Sequence, residues 1–375
     1  MNKFLNHFKR ITSSGNYIPE IDGLRFIAIF MVAVLFHTYG NIHDASPTNN
    51  KYFLIFLNLL ASGGAFGVPL FFIISGFILS IPFAKEKLLG GERVVIKYYF
   101  LRRLTRIEPL YVVTLLLYFC LRVWYYHYQS FTELLPHLGA SLLYIHNFIY
   151  RGFPLINGVT WSLEIEVQFY ILAPLLTNIF FVKNKFIRRF ILSIIIIAGS
   201  LFPVFSCVNH LGSFIDYAPL FFAGILLADI YLTDLKICND KLYFMLALFL
   251  LIGVLIFPSN PHSISYLLRT LFAIGFFYLA LANNLIKKYL SKKIITTIGG
   301  MSYSIYLLHQ GAYGAVKHYL DKISFTDILW LNAFFGLCII LFVMLLVSSF
   351  FFILIEKPTM HRNWYRKKSF LPERN

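Results

Sequence analysis

IDGLRFIAIFMVAVLFHTYG, residues 21–40, is the stretch that decides the fold. Every residue between Arg25 and His37 is apolar, and a run of this length is what a helix needs to cross a bilayer. Asp22 and Arg25 stand at one end and His37 near the other. Ionisable groups are costly inside a membrane helix and persist where they face a protein interior or a polar cavity. At ~1.5 Å rise per residue, Arg25 and His37 lie ~18 Å apart along the axis. That separation suits a long ligand held at its charged end by Arg25, with its reactive end at His37.

The rest of the chain agrees with a membrane reading. Of 375 residues, 58% are hydrophobic and 18% aromatic, and the mean hydropathy is +0.71. Only 13% are charged, against ~25% in an ordinary soluble domain. The formal net charge of +16 would point to nucleic acid in a soluble protein. Here the Lys and Arg residues sit between apolar runs, so topology and anionic lipid explain them better, and no nucleic acid is expected as a partner. Cys120, Cys207, Cys238 and Cys338 are scattered singly, without the spacing of a disulfide framework or a metal site. Residues 1–20 are polar and basic, and the first run lacks a small-residue cleavage site, so it reads as a retained signal anchor.

Apolar runs recur at 22–40, 65–83, 107–126, 160–182, 189–206, 214–232, 242–258, 264–284, 297–316 and 327–355. The fold class is therefore an all-α polytopic membrane protein with about ten transmembrane helices. Residues 51–61 and 131–149 are apolar but too short or interrupted to span; Pro136, His137, His146 and Asn147 make the second re-entrant or interfacial. With ten spans, Lys3, Lys9 and Arg10, the 85–106 cluster, Lys183, Lys185 and Arg188, Lys287 to Lys293, and the tail from Lys357 to Lys368 share one side. Both termini are then cytoplasmic. The chain divides into a tail (1–20), a transmembrane domain (21–358) and a basic cytoplasmic tail (359–375). The extracytoplasmic chemistry is expected in loops and helix ends, since the chain runs only about twenty residues past its last run.

Four constellations carry chemistry. His37, in the outer half of the first run, is a candidate general base, because a neutral imidazole is best poised near pH 7. Arg103 and Arg106 share a helix face three residues apart and form a two-guanidinium clamp suited to phosphate, with Glu108 and Pro109 directly following. Glu164 and Glu166 stand two apart in the fourth run and point to different faces; Glu166 is placed to orient or charge-balance His37. Tyr303 and His309 belong to GGMSYSIYLLH, residues 299–309, whose small residues favour close helix packing; both are accessory candidates, as is Glu164.

Taken together these segments resemble the membrane-bound acyltransferase-3 family. The matching pieces are IDGLRFIA with the later His37, LFFIISGFIL (70–79), YFLRRLTRIEPLY (99–111), TWSLEIEVQFYILAP (160–174), MSYSIYLLH (301–309) and IEKP (355–358). They come in the family's order across residues 21–358. The resemblance implies a ten-helix enzyme of the bacterial cytoplasmic membrane that moves an acyl group, often acetyl, from cytoplasmic acyl-CoA. Its acceptors are usually sugar hydroxyls of surface polysaccharides, lipid-linked glycans or glycosides, and no permanent cofactor is implied. His37 matches the catalytic histidine and Arg25 its basic partner. Arg103 and Arg106 match the RxxR expected to meet the phosphates of CoA, and Glu166 matches the glutamate ahead of Gln-Phe-Tyr.

The family usually places ten residues between that arginine and that histidine; here there are eleven. In a regular helix a step of eleven returns to within ~20° of the same face, and a step of twelve lands ~120° away. Either the first helix contains a π-bulge or Arg25 faces elsewhere. Val167 stands where many relatives carry a second glutamate, and Glu164 where many carry alanine. The rival class is a transporter or flippase of lipid-linked sugars, which the buried charges fit, but the chain has no internal inverted repeat.

Overall fold

The computed structural model describes residues 7–8, 10, 17–37, 51–205, 214–257, 264–320, 322–323, 325 and 329–361. Lys3, Lys9, Cys207, most of the 41–64 connection's first half and the tail cations from Arg362 onward lie outside them. The described residues form helices without a named strand, in the order α1 (Pro19–Phe30), α2 (Lys51–Ala65), α3 (Gly67–Leu89), α4 (Ile96–Cys120), α5 (Phe131–Leu142), α6 (His146–Tyr150) and α7 (Trp161–Leu176). After these come α8 (Lys185–Phe205), α9 (Phe214–Thr233), α10 (Lys241–Ile256), α11 (Ile264–Ala282), α12 (Asn284–Leu290), α13 (Lys293–Gly300), α14 (Ser302–Leu320) and α15 (Leu329–Phe351).

Among the described residues, nine of the ten expected runs each fall on one helical stretch, and the run at 297–316 falls on two. Among the described residues, six helical stretches are both long and apolar enough to cross a membrane: Lys51–Leu89, Ile96–Tyr125, Gly158–Phe181, Phe214–Thr233, Ile264–Ala282 and Phe334–Thr359. The chain is thus an all-α polytopic membrane protein, with six candidate spans by length and composition among the described residues.

Local chemistry sets the boundaries. Pro19 opens α1 with Glu20 and Asp22 in its first turn, where a missing N–H costs nothing and acids meet the positive dipole end. Ser130 and Glu133 make a reciprocal capping box that starts α5. Gly90, at φ +67°, ends α3 in the left-handed conformation that glycine adopts freely.

Two expectations need correction. Residues 51–61 are not an isolated short stretch: α2 runs on through Phe66 into α3 as one 39-residue helical unit. No proline or charge lies between Tyr52 and Phe66 to stop it, and Gly64 lets α2 pack directly on the backbone of Phe36. The ninth run is not one helix but two, α13 and α14, joined at Met301. A Cβ at Gly299 would overlap the carbonyl oxygen of Asp22, so the Gly299-Gly300 pair lets α13 cross α1 at backbone contact before the chain turns.

The closest packing joins α3 and α9, where Gly76 lies on the backbone of Phe221 and Gly224 on that of Ile73. Phe72, Phe77, Phe169, Phe221 and Phe277 fill the space around this crossing and are fully buried. The basic connections gather at one end of the bundle. There Lys87 donates to the Thr177 carbonyl and Lys183 to that of Lys87 (3.2 and 2.6 Å), while Leu290 lies on Gly23. Arg188 forks onto both oxygens of Asp229 at 3.0 and 2.7 Å, so this expected topology anchor is a buried ion pair fastening α8 to α9.

Candidate functional site

The site begins with the phase of α1. Between Phe30 and Phe36 the backbone opens into a π-turn, Met31–Leu35. A π-turn absorbs one extra residue, so the twelve steps from Arg25 to His37 rotate like eleven and bring both side chains to the face turned toward α14. This resolves the spacing: the bulge is present, and Arg25 lines the central cavity. His37, at 2% exposure, lies against α14 further along.

That cavity, of about 100 Å³, is lined by Arg25 from α1, Ser75 from α3, Arg103 and Arg106 from α4, Ser162, Glu166 and Tyr170 from α7, and Ser302, Tyr303 and Tyr306 from α14. Its charged residues are the three arginines and Glu166. The two α4 guanidiniums, one helical turn apart, have no hydrogen-bond or ion-pair partner among the described residues. Arg25 donates to Asp22 Oδ1 at 2.9 Å, and the same oxygen accepts from Arg10 at 3.0 Å. Asp22 is therefore a hub that sets the direction of two arginines.

Glu166 accepts hydrogen bonds from the Tyr170 hydroxyl at 2.6 Å and from the Ser75 hydroxyl, and it lies within electrostatic reach of Arg103. No hydrogen bond or ion pair joins it to His37. The structure places Glu166 at the arginine end of the cavity, away from the imidazole it was expected to orient. Glu164 is fully buried and points elsewhere, as the two-residue spacing requires. Its Oε2 accepts from the backbone N–H of Asn147 at 2.8 Å, at the start of α6. Glu108 accepts from Tyr144 at 2.9 Å.

The second half of the site is carried by α14. Tyr303, Tyr306, His309 and Tyr313 recur at helical spacing along one side, over ~15 Å. The Tyr303 hydroxyl donates to the Ile107 carbonyl at 2.8 Å, bracing α14 against α4 beside Arg106. Tyr306 and Ser162 hydroxyls are 2.7 Å apart, and Tyr306 also donates to the Val159 carbonyl at 3.0 Å. The Nδ1 of His309 lies 2.6 Å from the Tyr306 carbonyl. A carbonyl only accepts, so Nδ1 carries the proton, and a neutral ring keeps its lone pair on Nε2. His37 stacks on Tyr313 with centroids 4.1 Å apart and planes at 14°. The His309 ring is 5.3 Å away, and the Nε2 of His37 is buried without a hydrogen-bond partner.

Along α14 an arginine-lined cavity is followed, past Tyr306, by a buried imidazole pair. Arg25, Arg103, Arg106, Glu166 and Tyr303 share the cavity; His37 and His309 meet beyond Tyr306; Glu164 stands apart. Sequence reasoning missed Tyr306, Tyr313, Ser75, Tyr170 and the inward placement of Arg10. The signal for the first two was the stripe at 303, 306, 309 and 313, which reads equally as interfacial tyrosine.

Comparison with known proteins gives a consistent result. The family model described as "Acyltransferase domain", Acyl_transf_3, matches residues 18–353. The chain is 29% identical over 218 residues to the peptidoglycan O-acetyltransferase OatA of Listeria monocytogenes, covering 54% of this chain and 31% of that protein. It is 26% identical over 345 residues to a putative O-acetyltransferase of Staphylococcus aureus (strain COL), covering 81% and 52%. The O-acetyltransferase OatA of Staphylococcus aureus (strain NCTC 8325) is similar at 26% over 342 residues, covering 80% and 52%. The chain thus spans about half, or less, of the length of these relatives. No solved structure matches.

Proposed function

This chain belongs to the acyltransferase-3 family, and from that premise we propose that it is a membrane O-acyltransferase of the bacterial cytoplasmic membrane. In this reading it moves an acyl group, acetyl first, from cytoplasmic acyl-CoA to a sugar hydroxyl of a surface polysaccharide, lipid-linked glycan or glycoside. The observation that supports it is that α14 lines the cavity of the three arginines with Tyr303 and Tyr306 and, about one turn further on, sets His309 against His37.

The phosphates of the donor rest on Arg103 and Arg106, with Arg25 beside them, where charge-assisted hydrogen bonds are strongest. The uncharged pantetheine arm follows Tyr303 and Tyr306 and brings the thioester toward His37. His37 takes the proton of the acceptor hydroxyl on its free nitrogen. The oxygen attacks the thioester carbonyl, a C–O bond forms, the C–S bond breaks, and the CoA thiolate leaves to be reprotonated. In the other route, His37 attacks first and carries the acyl group as an acyl-imidazole before the acceptor receives it. Glu166, tied to Ser75 and Tyr170, shapes the arginine end, and His309 packs beside His37 and fixes its surroundings. No specific observation favours the transporter reading.

The test is CoA release by purified protein with acetyl-CoA and a panel of glycan acceptors, beside His37→Ala. Acceptor-dependent release that disappears in the folded variant is expected. Full transfer by His37→Ala would sink the mechanism, and failure of the wild type to bind acetyl-CoA would sink the donor assignment.

A further inference from the structure

Arg10 precedes the first apolar run and reads in sequence as a topology anchor, yet its side chain is only 11% exposed. Three contacts fasten His7, Phe8 and Arg10 to the basic end of the bundle. Phe8 packs on the apolar cluster of Met301, Met344, Phe352 and Met360. The carbonyl of His7 accepts from Lys357 at 2.6 Å, and Arg10 donates to Asp22 at 3.0 Å. An anchor that merely faces anionic lipid needs none of these.

Arg10 also stands in a cluster of like charge. Arg106 and Arg103 act on it electrostatically, opposed by Asp22 and Glu356. The hydrogen bonds of Glu356 go to the backbone N–H and hydroxyl of Ser304 at the start of α14, so Glu356 forms no ion pair with any of these arginines. The Nε of Arg10 is buried without a partner, and Arg103 and Arg106 are unpaired among the described residues. Guanidiniums crowded in a poorly hydrated place repel one another and stay together at least cost when an anion binds among them.

We propose that Arg10 is a ligand for the phosphates of the acyl donor at the cytoplasmic end of the donor site, with Asp22 as the positioning residue. This rests on the acyl-CoA reading above. Charge supports it: a CoA head carries a phosphate monoester of nearly two charges besides its pyrophosphate, more than the α4 pair alone neutralises.

The experiment uses the full chain in detergent and the variants Arg10→Gln, which keeps a donor toward Asp22, and Arg10→Ala. CoA binding is measured by calorimetry, and turnover is compared for acetyl-CoA and for acetyl-pantetheine, which has no phosphate. The expected result is CoA binding weakened on the order of tenfold, with kcat for acetyl-CoA held within about twofold and acetyl-pantetheine turnover unchanged. Equal CoA binding by folded Arg10→Gln and wild type would overturn the proposal, as would an equal loss with both donors, which marks a purely structural residue. If wild type itself binds no CoA, the donor assignment falls and takes this proposal with it. If wild type binds and Arg10→Gln binds equally, this proposal alone falls.

Discussion

Deleting Val34 from the wide turn Met31–Leu35 tests whether the phase of α1 is what aligns the site. The deletion lets α1 close into a regular helix with eleven steps from Arg25 to the histidine, which still rotates it to within ~20° of the Arg25 face. The axial change is at most ~1.5 Å. Inserting one alanine after Leu35 instead adds ~100°. An imidazole ~5.5 Å from the helix axis then moves ~8 Å, out of the Tyr313–His309 pocket. Misplacement by ~1 Å already costs on the order of 10²-fold in rate, so the insertion should abolish acceptor-dependent CoA release. The deletion, which keeps the face and displaces the ring by at most ~1.5 Å, should lose on the order of 10²-fold yet stay measurable. The assay is thioester cleavage with acetyl-CoA and an acceptor, with thermal unfolding as the control for fold. If the folded deletion is as dead as the insertion, or the insertion is harmless, the phase argument is wrong.

Other substitutions separate the parts of the site. Glu166→Gln removes the carboxylate beside Arg103 while leaving His37 untouched, so KM for acetyl-CoA should change several-fold and the pH profile of kcat should keep its midpoint; a shifted midpoint would restore Glu166 to the imidazole. His309→Phe keeps the ring packing beside His37 and removes both nitrogens; kcat should hold within about threefold with KM for the donor unchanged, and a fall of about tenfold or more would give one of its nitrogens a part in the chemistry. Gly299→Ala drives a Cβ into the Asp22 carbonyl; overpacking of this kind costs about 1–3 kcal/mol, and unfolding temperature and CoA affinity should fall together because Asp22 directs two arginines. Asp234, beyond the end of α9, is held below the usual carboxylate range by hydrogen bonds from Lys185 and Arg189. A depressed carboxylate stabilises the fold above its unfolded pKa and loses that contribution as pH falls through the folded value. Asp234→Asn should therefore lower thermal stability at pH 7, and the gap from wild type should narrow only below about pH 4; a gap independent of pH would refute the ionic origin.

What was legible in the sequence was whatever follows from chain arithmetic. The Arg25–His37 spacing demanded a π-turn or a misdirected arginine, because side-chain phase depends on a count. That Arg103 and Arg106 share a helix face, and that Glu164 diverges from Glu166, followed for the same reason. Neighbours supplied by other helices were not legible. Nothing local in Glu166 says that Ser75 and Tyr170 will donate to it, and its pairing with His37 was inferred from depth alone. Arg10 was hidden by an adequate simpler cause, since topology already accounts for a basic residue there. The junction of α2 with α3 was missed because Asn58, Ser62 and the Gly63-Gly64 pair break the apolar pattern without breaking the helix.

The distribution of charge along the cavity has an electrical consequence. Arg25, Arg103, Arg106 and Glu166 are the charged residues of its lining, and they sit at one end. Past them the walls are phenols, hydroxyls and hydrocarbon, and an ion driven into such surroundings without a counter-charge faces a penalty of several kcal/mol. On the acyltransferase reading proposed above, a neutral chain could advance past the arginines where its charged head is held back, so the lining itself would set which part of a donor enters and which stays at the mouth.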